Sequence, residues 1–155
     1  MTGGALTTAE TSAAVWFELP QLRSKSNFRR GANTKSWNRL QGFEDELAIT
    51  ARSHRPASWP MGDAAAPVAS RPAIIAVVVA ETLLDTGNVT KSLYDALEGV
   101  LYHTDASIRA ELVVTERAKG GRAFAAFAVC EHGDAASYAR AVAGLAEALL
   151  ASIQD

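Results

Sequence analysis

The chain has 155 residues, about one domain's worth, and is 48% hydrophobic and 21% charged. Such a chain buries roughly two-thirds of the surface it exposes unfolded, which excludes a wholly disordered protein, a coiled coil and a disulfide-stapled miniprotein. Its net charge of −2 argues against a bulk polyanion binder.

Cys130 is the one cysteine, so no intramolecular disulfide forms. With His132 alone it does not supply a zinc ligand set. No apolar run reaches the roughly 20 residues that span a bilayer. No basic n-region precedes an apolar h-region, so no signal peptide is expected. The expectation is a soluble, cytoplasmic protein with no membrane partner.

Charge is segregated along the chain. Between Glu18 and Glu44 lie Arg23, Lys25, Arg29, Arg30, Lys35 and Arg39, with no acidic residue. The remainder holds nine of the 15 basic side chains and all 17 acidic ones. A basic strip on an acidic body suits an anionic partner such as a phosphate backbone, and equally describes a solvated loop.

Residues 1–12 are small and polar, and are expected to be disordered. The domain is expected over 13–155. Residues 14–19 (A-V-W-F-E-L) read as a short strand stopped by Pro20. The basic strip over 21–35 lacks periodicity and reads as a loop. Ser36 can cap a helix to about Arg52, with Trp37, Leu40, Phe43, Leu47 and Ala51 on one face.

Residues 54–70 are rich in Pro and Ala and read as a long surface loop. Residues 73–80 (A-I-I-A-V-V-V-A) form a continuous β-branched run, the signature of a central strand buried on both faces. Residues 88–99 are amphipathic at helical spacing. Val89, Leu93, Ala96, Leu97 and Val100 make the apolar side; Asn88, Lys91, Asp95 and Glu98 make the polar stripe. Gly99 suits the helix end.

Residues 108–117 and 122–130 alternate as strands, and A-K-G-G between them predicts a hairpin turn. Asp134 can cap a last helix over 134–153, striped by Tyr138, Val142, Leu145, Leu149 and Ile153. The order β-α-β-α-β-β-α indicates an α+β fold, a mixed sheet of about four strands with helices packed on it.

Chemistry is expected where the buried strand ends. Asp85 follows that strand, Lys91 lies on the polar helix face, and Asp105 precedes the next strand. Read as meeting at one sheet end, they offer two carboxylates and an ammonium. Carboxylates held together are relieved by a hard divalent cation, which also takes substrate phosphate. A nearby lysine stabilises charge on a phosphoryl oxygen. The same residues also fit plainer roles: Asp85 as helix cap, Asp95 paired with Lys91, and Asp105 in a turn.

The stretch L-D-T-G-N-V-T-K-S-L-Y-D-A-L-E-G-V-L-Y-H-T-D-A-S-I, residues 84–108, resembles the RusA family of Holliday-junction resolvases. That family's signature runs D-x-D-N-x-x-K-x-x-x-D-A-L and then to D-D-x-x-I. Here it reads Asp85, Gly87, Asn88, Lys91, Asp95-Ala96-Leu97, Thr104-Asp105 and Ile108. The early L-P-Q-L-R-S-K-S-N-F-R-R and the later K-G-G resemble the family's N-terminal strand with its basic loop, and its hairpin. The likeness covers roughly residues 14–130; the terminal helix lies outside it.

The resemblance implies a RusA-like fold and a homodimeric endonuclease that cuts branched DNA, the four-way junction, with Mg2+ or Mn2+. It implies Asp85 and Asp105 as metal ligands and Lys91 as the catalytic lysine. Asn88 and Asp95 match signature positions in supporting roles. Arg23, Lys25, Asn27, Arg29, Arg30 and Lys35 would grip phosphates. The sequence departs from the signature twice: Gly87 replaces the second aspartate of D-x-D, and Thr104 the first of the later pair. Glu81, Asp95 or a backbone carbonyl are the candidate substitutes. The alternative is a RusA-like DNA-binding protein that has lost its metal through Gly87; a structural dimer without nucleic acid is the third.

Other residues divide between roles. Phe28 within the strip can stack on an unpaired base or anchor the loop. His103 can approach Asp105 or lie on the surface. Trp16, Trp37 and Trp59 are expected in the core. Cys130 is expected as a small buried residue. The alanine-rich terminal helix can pack on the sheet or form a dimer face.

Overall fold

A computed structural model describes residues 2–22, 34–131 and 133–154. Residue 132 and the segment 23–33 lie outside these, and with them Arg23, Lys25, Asn27, Phe28, Arg29, Arg30 and His132.

The elements are β1 (Gly3–Leu6), β2 (Thr11–Glu18), α1 (Thr34–His54), β3 (Ala73–Glu81), α2 (Thr86–Leu97), β4 (Ile108–Glu116), β5 (Ala123–Cys130) and α3 (Ala135–Gln154). The class is α+β, as the sequence predicts. The five strands form one mixed sheet in the order β1-β2-β5-β3-β4. β3 runs parallel to β4 and antiparallel to β5.

β3 lies inside the sheet because its β-branched run has no polar face to offer water. β5 is buried along all eight residues. Alternate strand residues serve two cores. Val15, Phe17, Ala76, Val78 and Phe127 face a cluster completed by Leu40, Phe43 and Leu47 of α1 and by Val89, Leu93 and Leu97 of α2. Trp16, Ile75, Val77, Phe124 and Ala126 face Ala141, Leu145 and Leu149 of α3. The sheet is thus covered on both sides, and α3 packs on it rather than standing free.

Three expectations are corrected. Residues 2–12 do not all fray: Gly3–Leu6 pairs antiparallel with β2, and β2 begins at Thr11. Backbone hydrogen bonding to β2 holds a segment whose composition alone suggests disorder. A-K-G-G is not a hairpin turn, because β4 and β5 do not pair; β3 lies between them. The connection instead crosses the end of β3, where Thr82 N donates to Glu116 O at 2.8 Å and Glu81 N to Arg122 O at 2.8 Å. Trp37 is 46% exposed, whereas Trp16 and Trp59 are buried. The α1 stripe meets the core only from Leu40 onward.

The 54–70 segment is tied down at both ends. His54 closes α1, and Val68–Ser70 forms a 3-10 turn. Trp59 Nε1 donates to Leu101 O at 2.8 Å, and Arg55 Nη1 to Val100 O at 2.6 Å. These bonds pin the turn that leads from α2 to β4.

Candidate functional site

The C-terminal end of β3 is where the chain gathers unlike segments. β2 delivers Pro20, Gln21 and Leu22, directly ahead of the basic strip. β3 delivers Glu81 to Leu84, and the β4–β5 connection delivers Lys119 to Gly121. They line an open cleft of about 170 Å³. Asp85 follows at once.

The K-G-G turn has a physical reason there. Gly120 has φ +69, a left-handed backbone that glycine adopts without strain. At Gly121 a Cβ would lie 2.2 Å from Glu81 Cβ and 2.5 Å from its Oε2. Only a glycine lets the loop pass this close to Glu81. Arg122 is already engaged: its Nε and Nη2 donate to Glu18 Oε1 and Oε2 at 2.9 and 3.0 Å. That guanidinium holds the Glu18 carboxyl below its usual range.

Asp85 is the N-cap of α2. Its Oδ1 accepts from Asn88 N at 2.8 Å and its Oδ2 from Asn88 Nδ2 at 3.0 Å. Asn88 is therefore the residue that fixes the Asp85 carboxylate. Lys91 and Asp95 lie exposed on the same helix face, one and a half and nearly three turns on. Lys35 is exposed in the first turn of α1, which begins before Ser36.

Asp105 lies elsewhere. β3 and β4 are parallel, with Ile74 opposite Ile108 and Glu81 opposite Glu116. Asp105 precedes Ile108, so it sits at the start of β3. Asp85 follows Glu81, at its finish. Nine residues of strand separate those ends by roughly 26 Å. The expected meeting of Asp85 and Asp105 at one sheet end does not occur within a single chain. A parallel pair forces this: the return through α2 brings the chain back to where β3 began.

Asp105 and Asp95 instead both lie within electrostatic range of Tyr102. Both charges, with that of Glu98, bear on buried Tyr102, whose phenol is pushed above its usual range first by burial and then by Asp105. Tyr102 donates to Tyr94 O at 2.8 Å. Tyr94 donates to Glu111, and burial followed by that carboxylate raises its pKa as well. His103 Nε2 meets Gly62 O at 2.7 Å, and Thr104 Oγ1 accepts from Arg71 Nη1 at 3.3 Å. Cys130 is buried. Among the described residues no three acidic, histidine or cysteine side chains form a group that could hold a metal. No described helix is long and apolar enough to cross a membrane.

No protein-family model and no curated protein matches the chain. Sequence reasoning missed Lys119, which the chain reversal over β3 carries to the Asp85 end. The K-G-G motif was its only signal, and that motif reads equally as a hairpin.

Proposed function

We propose that the chain is a homodimeric, RusA-like protein of branched DNA, and that its activity is Mg2+-dependent endonucleolytic cutting. The observation that carries this reading is the β3 end, where Glu81, Lys119 and the segment leading into the basic strip line one cleft and Asp85 follows directly after its lining residue Leu84. Carboxylates and a lysine at one sheet end, next in sequence to a basic strip, suit a phosphodiester.

The donor set of one chain does not fit a shared ion, because Asp85 and Asp105 occupy opposite sheet ends. A hard divalent cation would have to be held by Asp85 together with oxygens of the substrate, and would there polarise the scissile phosphate. This chain's own contributions are distinct. Asn88 holds the Asp85 carboxylate in place. Lys91 and Lys119 supply positive charge for a phosphoryl oxygen. Lys35 and the strip grip the flanking backbone.

A second reading rests on its own observation. Each Asp85 oxygen already accepts a hydrogen bond from Asn88, and Gly87 offers no side-chain ligand. This favours a DNA-binding protein that retains fold and charge but does not cut.

One experiment separates the two. A labelled four-way junction and a matched linear duplex are incubated with the protein, with and without Mg2+ or Mn2+, beside Asp85→Asn. Symmetric metal-dependent cutting of the junction, lost in the variant, supports the nuclease. Salt-sensitive junction binding without cutting at any metal level replaces it with the binding protein. Failure to retain either DNA overturns both.

A further inference from the structure

The cleft at the finish of β3 carries a carboxylate that a phosphate would repel. It belongs to Glu81, the last residue of β3 and part of the cleft wall. Arg122 N donates to its Oε2 at 3.3 Å, while the Arg122 guanidinium is turned to Glu18. Gly121 passes close to the same oxygen, so the side chain is backed on that side. A carboxylate accepts at two oxygens, with about four lone-pair positions, and donates nothing. Beside it the wall is aliphatic: Leu22 and Leu84 are half-buried, and Leu83 is 54% exposed. The space is about 170 Å³. A site for a drug-sized ligand takes roughly 300–1,000 Å³, so this one suits a single flat ring system rather than a whole nucleotide.

We infer that this cleft holds one unpaired guanine base, read by Glu81. The bases differ in what their Watson–Crick edges offer a carboxylate. Guanine presents two neighbouring donors, N1–H and the N2 amino group, which match the two carboxylate oxygens. Adenine and cytosine each set an amino group beside a bare ring nitrogen, and thymine sets its N–H between two carbonyls. Those acceptors repel a carboxylate. A bidentate, charge-assisted pair of hydrogen bonds is the strong kind. Leu22, Leu83 and Leu84 supply apolar surface for the ring faces, as apolar side chains do for extruded bases. Lys119 lines the same cleft and meets the phosphate of that nucleotide, which offsets the charge of Glu81. In a duplex the cytosine partner occupies the same guanine edge, so only an unpaired base is read. The inference rests on the reading of the chain as a protein of branched DNA, where strands part and bases leave the stack. It holds whether or not the chain cuts.

The test is fluorescence anisotropy of the full chain with short labelled thymine oligonucleotides that carry one central test base, at low salt without divalent cation. The guanine oligonucleotide should bind about ten-fold or more tightly than those with adenine, cytosine or thymine at the centre. The same guanine paired in a hairpin stem should show no such preference. Glu81→Gln keeps an acceptor for Arg122 N and nearly the same shape, but offers one donor and one acceptor. It should lose the guanine preference and favour adenine or cytosine, whose edges match an amide. Lys119→Ala should instead weaken all four oligonucleotides alike, because a phosphate contact carries no base information. Competition with guanosine monophosphate identifies the source of the base. Displacement by the free nucleotide supports the site and assigns it to a nucleotide ligand; displacement by guanine oligonucleotides alone supports it and assigns it to a strand. Binding with no base preference would overturn the inference, as would a guanine preference that Glu81→Gln leaves unchanged. Either result leaves salt-sensitive retention of a four-way junction, and with it the branched-DNA reading, to stand or fall separately.

Discussion

The Asp85 carboxylate is held at both oxygens by Asn88, at 2.8 Å from its backbone nitrogen and 3.0 Å from its side-chain amide. One residue thus caps a helix and presents the carboxylate that the proposed chemistry needs. The two roles separate by substitution. Asp85→Ala removes the cap and should cost about 1 kcal/mol of stability. Asp85→Asn keeps an acceptor for the Asn88 N–H and should cost a few tenths of that, while removing the charge. Urea unfolding of both variants checks the stability; junction cutting by Asp85→Asn then reports on charge alone.

Gly121→Ala should destabilise the chain by about 1–3 kcal/mol, because the added methyl enters the space of Glu81 at 2.2 Å. Gly120→Ala, at φ +69, should cost about 1 kcal/mol through backbone strain instead. If overlap with Glu81 is the cause, Glu81→Gly should recover much of the Gly121→Ala loss and none of the Gly120→Ala loss. Equal recovery in both would refute that explanation.

Alkaline pH should leave Tyr94 and Tyr102 protonated as long as the chain is folded. Burial raises both phenols, and the neighbouring carboxylates add to it. A pKa raised in the folded state means that unfolding releases protons at high pH. Stability is therefore whole below the unfolded tyrosine range, near about pH 10, and falls as pH rises beyond it. Phenolate absorbance should show two tyrosines ionising only with unfolding, followed by circular dichroism. Ionisation of all three before the fold is lost would contradict the buried environment.

What the sequence made legible follows from where burial dictates residue type. The run at residues 73–80 could only be an inner strand, and Leu40, Phe43 and Leu47 could only be a helix face. What it hid was pairing. Alternation in β4 and β5, with Gly-Gly between them, reads as a hairpin because local pattern carries no record of which strand lies alongside. The Gly-Gly serves a crossing over β3 instead. The same gap misplaced Asp105: sequence proximity to Asp85 suggests one site, and the parallel β3–β4 pair sends them to opposite ends. Gly3–Leu6 escaped notice because its side chains contribute little and its backbone contributes the pairing.

Gly87 is the departure from the RusA-like pattern that the structure makes testable. It is the second residue of α2, has no left-handed φ, and a Cβ there would meet only Asp85 Oδ1, at an ordinary 3.5 Å. Gly87→Asp is therefore free of strain. An acidic residue in the first helical turn also favours the helix by about 0.3–1 kcal/mol, offset in part by repulsion from Asp85. Divalent cation relieves that repulsion, so Mg2+ should raise the melting temperature of Gly87→Asp more than that of wild type. Calorimetric titration with Mg2+ alone should show the tighter binding directly. If the variant also cuts a four-way junction that wild type only binds, Gly87 accounts for the missing activity. If Mg2+ shifts neither protein, the β3 end is not a metal site, and the binding-protein reading stands.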